Sequence, residues 1–209
     1  LLLWLTGEFG GFDVTLPLPG NGDTYFSNMD VHALAGQGVF ILVFFRLFWG
    51  IWGSTTARFR HFVRSPSAVV GELIGLIKGK IHHTAGHNSP GGAMIVVLLL
   101  LLAVQSITGL FAVDDFFFEG PLVHLVTEDI SDKLTGVHHL LFTGLQVLVV
   151  VHILAVFYHL VRGHNLVGAM FTGKRPAPHS AEQLKFSPGW LALISLGVSA
   201  GLLLLLRSL

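Results

Sequence analysis

Long apolar runs alternate along the chain with connections that carry almost all of its charge. Residues 31–52, 93–113, 134–161 and 188–206 are each long enough to cross the hydrocarbon of a bilayer, which takes about 20 helical residues. Residues 1–6, LLLWLT, are apolar but too short to cross, and no basic run precedes them as in a signal peptide. They are expected to be the last turns of a first span whose earlier part lies upstream. The connection 7–30, with Gly10, Gly11, Pro17, Pro19, Gly20 and Gly22, is expected to be a loop. Within 53–92 the stretch 67–80 predicts a short interfacial helix with Pro66 near its start. The pattern as a whole predicts an all-α integral membrane helical bundle, a single membrane domain over 1–209.

The polar residues that interrupt the apolar runs carry the chemistry. His138 and His152 both lie in 134–161, LTGVHHLLFTGLQVLVVVHILAVFYHLV. Fourteen residues apart, they fall within about 40° on one helix face and about 21 Å apart along the axis. That spacing suits one helix offering an axial imidazole to each of two haems, neutral imidazole being a common ligand of haem iron. His152 sits in mid-span among apolar neighbours, where an unpaired polar group is costly. His32 opens the second span as His138 opens the fourth, which sets the two at matching depth. Gly36, one turn after His32, and Gly144, between His138 and His152, are the candidate close approaches for a flat macrocycle. A histidine in the first turn of a span is also a common interfacial residue, and His139 competes with His138 from about 100° around the helix. Helix phase favours His138. His159 reads as interfacial, near a haem propionate. His61, His82, His83, His87, His124, His164 and His179 fall in polar connections and read as solvent-facing.

Composition narrows the options. Hydrophobic residues make up 52% of the 209 and charged ones only 11%, as expected of a membrane protein. A formal net charge of zero points away from nucleic acid. The chain has no cysteine, which excludes disulfides, thiolate metal sites, iron–sulfur clusters and covalent c-type haem. Twelve histidines equal the Lys and Arg together, a ratio that points to haem or metal. The connections 53–92 and 162–187 hold nine bases and two acids; 7–30 and 114–133 hold one base and ten acids. The positive-inside rule puts the first pair in the cytoplasm and the C-terminus on the periplasmic side. The acidic outer face is a candidate docking surface for a basic partner, or plain solvation. Arg46, Arg58, Arg60 and Arg64 crowd the inner edge of the second span. They anchor the span, and Arg46, Arg58 and Arg64 are candidates to neutralise haem carboxylates, since Arg pairs carboxylate bidentately. Arg46 and Gln105 are candidate lining for a quinone pocket.

The strings FRLFWGIWGSTTARFRHFVRSP, ending at Pro66, GHNSPGGAMIVVLLLLLAVQSITGLF (86–111), HH…VVVHILAVFYH (138–159) and NLVGAMFTGKR (165–175) resemble the bacterial cytochrome b561/nickel-hydrogenase b-type cytochrome family. They are most similar to its short, hydrogenase-independent members. The resemblance implies a four-helix dihaem core, to which 188–206 adds an extra C-terminal transmembrane helix. It implies two haem b groups, the outer held by His32 and His138. The inner would be held by His152 and a ligand upstream of residue 1, which the family carries in an Arg-x-x-His-Trp string of the first span. The expected function is an electron-transfer subunit of the bacterial inner membrane, passing electrons between the quinone pool and a periplasmic redox protein such as a c-type cytochrome, alone or within a larger membrane complex. Two other classes stand beside it: a non-redox membrane anchor for a peripheral complex, and a histidine-lined metal or proton transporter. An anchor has no need of His152. A transporter wants an internal repeat or a polar path through several spans, and neither is visible.

Overall fold

The computed structural model describes residues 1–8, 14–18, 22–79, 88–114, 118–163, 165–172 and 185–209. Eight α-helices follow one another among these: α1 (Leu2–Glu8), α2 (Asn28–Trp52), α3 (Phe59–Phe62), α4 (Pro66–Ile77), α5 (Ser89–Gly109), α6 (Glu128–Val161), α7 (Leu166–Thr172) and α8 (Gly189–Arg207). Of these, α2, α5, α6 and α8 are long and apolar enough to cross a membrane. Many of their large side chains, Leu34, Leu42, Val150, Leu154, Leu193 and Leu204 among them, are exposed. In water such a surface would drive association; against lipid tails it is the matching solvent. Among the described residues the fold is helical, with a hairpin that the apolar pattern does not announce. The connection 7–30 contains an antiparallel hairpin, β1 (Val14–Leu18) against β2 (Gly22–Phe26), with Val14 opposite Phe26 and Leu18 opposite Gly22.

Helix ends are set by capping chemistry, and they shift two spans from their hydropathy limits. The third span, expected over 93–113, is helical from Ser89 to Gly109. Asn88 accepts the Gly91 amide on Oδ1 at 2.9 Å, and Pro90 fits the first turn because its missing N–H would have no helical partner. Past Gly109 the chain folds back, the amides of Gly120 and Leu122 donating to the carbonyls of Ala112 and Leu110. The fourth span, expected to begin at 134, begins at Glu128. Its first turn carries Glu128 and Asp129 at the positive end of the helix dipole, and the Thr127 carbonyl accepts from Ile130 and Ser131. The interfacial helix expected over 67–80 is α4, with Ser65 accepting the Ala68 amide and Pro66 in the first turn.

The residues group into two compact units, and each long helix contributes to both. One unit comprises Leu1–Phe45, Leu102–Leu141 and Leu196–Leu209. Its core is Phe40, Leu110, Leu122 and Leu203, with Phe44 stacked on Phe40 at 4.3 Å. The other comprises Arg46–Leu101 and Phe142–Ser195. There Trp52 Nε1 donates to Ser195 Oγ at 2.9 Å, Ser187 Oγ donates to the Trp52 carbonyl, and Tyr158 donates to the Leu76 carbonyl at 2.8 Å. The extra helix α8 therefore lies against α2, through Ser195 and Trp52 in one unit and through Arg207, which donates to Gln37, in the other. Gly92 meets α3 so closely that an added Cβ would stand 2.6 Å from the Phe62 carbonyl oxygen. Since that neighbour is backbone, Gly92→Ala is expected to cost about 1–3 kcal/mol, the usual range for overpacking. Heat unfolding of the variant in detergent, read as a lower Tm than wild type, checks it.

Candidate functional site

His32 is placed by the start of α2. Ser27 and Asp30 form a reciprocal cap, the Asp30 amide donating to Ser27 Oγ at 3.1 Å and the Ser27 amide to Asp30 Oδ2 at 2.9 Å. Asn28 Nδ2 donates to the Thr6 carbonyl and ties this turn to α1. His32 then sits with Nδ1 3.1 Å from the Leu3 carbonyl and 3.3 Å from Thr6 Oγ1. A carbonyl only accepts, so Nδ1 carries the hydrogen and Nε2 is left with its lone pair. That is the tautomer a metal-binding imidazole needs, and an outer hydrogen bond of this kind is what usually orients one.

His138 is held the same way by α5. Its Nδ1 lies 3.0 Å from the Gln105 carbonyl and 3.2 Å from Thr108 Oγ1. Its Nε2 lies 3.0 Å from Gln105 Nε2, which donates to it. The two imidazoles meet edge to face, with centroids 6.3 Å apart and planes at 73°. Two imidazoles on opposite sides of one iron, with a nitrogen–metal bond of about 2 Å each as on other first-row metals, put their centroids about 6 Å apart. The separation of the pair matches that value. Among the described residues no three His, Asp or Glu groups gather around a point that would hold a bare ion. A haem needs no third protein ligand, because its macrocycle supplies the rest. The Gln105 side chain is the group that must yield Nε2 of His138 to iron, and its Oε1 is buried without a partner among the described residues.

The remaining candidates are distributed as follows. A Cβ added at Gly36 or Gly144 would meet nothing within 4 Å, so both positions border open space. His139 lies next to His138 with ring centroids 6.4 Å apart, and the contact to His32 is made by His138. His152 is exposed on α6. Arg46 spreads over the rings of Phe59 and Phe62 at 5.3 and 5.9 Å, and its Nη1 is buried without a partner among the described residues. A buried, unpaired guanidinium nitrogen suits a carboxylate such as a haem propionate. Arg58 donates from Nε to the Gly53 carbonyl at 2.6 Å, closing the end of α2, and Arg64 donates to the His61 carbonyl at 3.3 Å. An apolar cavity of about 300 Å³ is lined by Leu47, Phe59, Val63, Val96, Leu99 and Leu100. His61 is half-buried and His124 exposed, while His82, His83, His87, His164 and His179 lie outside the described residues. Thr6, Gly7 and Gly109 form part of the site without standing out as chemistry in the apolar pattern. Their one sequence signal is the likeness of LWLTG (3–7) to QSITG (105–109).

Four membrane-length helices among the described residues, with neighbouring imidazoles tethered at Nδ1 near the start of α2 and about three turns into α6, suit a helical membrane cytochrome of b type. Residues 1–173 match the family model of prokaryotic cytochrome b561, and the chain belongs to that family. It is a bacterial membrane protein of electron transfer, and haem b is its cofactor. No curated protein and no solved structure was found to match it.

Proposed function

We propose that this chain is a dihaem b-type cytochrome that carries electrons across the bacterial inner membrane between the quinone pool and a periplasmic redox protein. The reading is carried by one observation, the paired His32 and His138 imidazoles with both Nδ1 atoms tied to backbone carbonyls. Haem b, when bound, supplies a one-electron couple buried in apolar surroundings. His32 and His138 would hold it through Nε2 at the outer level, and the carbonyls of Leu3 and Gln105 keep their hydrogens on Nδ1. Gly36 and Gly144 leave the space a macrocycle edge needs. His152 would hold a second haem at the inner level, its counterpart coming from outside the described residues. Arg46, with Arg58 and Arg64, would neutralise carboxylates there. The cavity beside Phe59 suits the apolar part of a quinone.

The basic connections 53–92 and 162–187 face the cytoplasm and the C-terminus the periplasm, following the positive-inside rule. The acidic connections 7–30 and 114–133 then meet a partner with a basic face, such as a c-type cytochrome, by electrostatic steering. The test is haem content. The full-length protein, purified in mild detergent, is expected to show a b-type band in reduced-minus-oxidised spectra and two haems per chain. One haem would confine the function to the outer level, and none would overturn the proposal in favour of an anchor or a transporter.

A further inference from the structure

The tethers of His32 and His138 are the same device used twice. In α1 the carbonyl of Leu3, the hydroxyl of Thr6 and the Cα of Gly7 surround one ring; in α5 the carbonyl of Gln105, the hydroxyl of Thr108 and the Cα of Gly109 surround the other. The offsets are identical, residue i for the carbonyl, i+3 for the threonine and i+4 for the glycine. A Cβ on either glycine would stand 3.0 Å from the Cε1 of its histidine. Both threonines are buried, at 5% and 4% exposure, among the few polar residues that are. Their hydroxyl hydrogens are spent on their own helices: Thr6 Oγ1 donates to the Leu2 carbonyl at 2.8 Å, and Thr108 Oγ1 to the carbonyls of Val104 and Gln105 at 3.0 Å. Each hydroxyl can therefore only accept from the imidazole, and each Nδ1–H is shared between two oxygens.

We infer that Thr6 and Thr108 are a matched pair of positioning residues that fix the planes of His32 and His138 and strengthen both as iron ligands, which lowers the potential of the haem between them. The inference rests on the haem reading above. Its physics is that two acceptors on Nδ1–H move electron density towards Nε2, a stronger donor favours the ferric over the ferrous state, and hydrogen bonding beyond the ligands is a lever on potential. The glycines admit the rings close enough for both contacts to form.

The test uses full-length protein carrying Thr6→Val, Thr108→Val, both together, and Thr→Ser at each site, read by redox titration and by the ferric EPR signal. Valine keeps the shape and removes the acceptor; serine keeps the acceptor. Each Val variant is expected to retain the haem and raise its reduced-to-oxidised ratio at a fixed ambient potential roughly three- to tenfold, the strength of one hydrogen bond. Tenfold corresponds to 59 mV for a one-electron couple. The two shifts should be similar and add in the double variant, the EPR signal should move with them, and the Ser variants should keep wild-type values. Haem retained with unchanged midpoint in the Val variants overturns the inference and leaves the haem reading standing. Haem lost from Val but kept by Ser supports it; haem lost from both overturns it. A wild-type protein without haem sinks the reading beneath it.

Discussion

Purified with alanine in place of His138, the protein is expected to carry one haem fewer per chain, while the His139→Ala protein keeps the full complement. The two residues are neighbours on α6, but about 100° of helix separates their directions, and the ring that faces His32 at 6.3 Å is that of His138. Only His138 is held at Nδ1 by the Gln105 carbonyl and Thr108, with Gly109 making way for it. In the proposed function, losing it would leave the outer haem with a single imidazole from the protein, that of His32. His32→Ala should have the same effect. Haem quantified per chain, with the reduced-minus-oxidised amplitude as a second reading, checks the contrast. Loss on His139→Ala with retention on His138→Ala would exchange their roles and undo the pairing.

The second large effect is expected at His152. His152→Ala should remove the inner haem, leave the outer one in place, and reduce to background the rate at which added quinol reduces that outer haem in membrane vesicles. By helix rise His138 and His152 of α6 lie about 21 Å apart along one axis, so in the proposed function the inner site would be the intermediate stop for an electron crossing the membrane. A histidine in mid-span with no such role is merely a cost in a hydrocarbon setting, and its alanine variant would keep both haem content and rate while gaining stability. Wild-type reduction kinetics in His152→Ala would therefore remove the transmembrane pathway from the proposal without touching the outer site.

Much of this was legible in the residues because a bilayer is a strict solvent. It demands about 20 apolar residues per span and makes every polar interruption conspicuous, so the long helices and the histidines at 32, 138 and 152 stood out against Leu, Val and Ile. Helix phase was enough to set His138 ahead of His139. The span ends were less legible. They follow local hydrogen bonds at Asn88 and Thr127, which a hydropathy pattern does not weigh.

By itself the sequence determined the number of membrane-length helices, the exclusion of cysteine chemistry and the face of α6 on which its ligand candidates lie. These depend on composition and on the fixed 3.6-residue turn. Only the tertiary structure decided what the second neighbours of those ligands are. Nothing in LWLTG or QSITG read alone says that a carbonyl, a hydroxyl and a bare Cα will close on an imidazole, because each set belongs to a different helix from the ring it holds. The place of α8 was decided in the same way. Ser195 and Ser199 look like stray polar residues in a Leu-rich run, yet both are fully buried, and Ser195 accepts from Trp52 of a helix distant in sequence. Periodicity reports which face of a helix is apolar, whereas the partner of that face is chosen by packing and by the need to satisfy each buried donor.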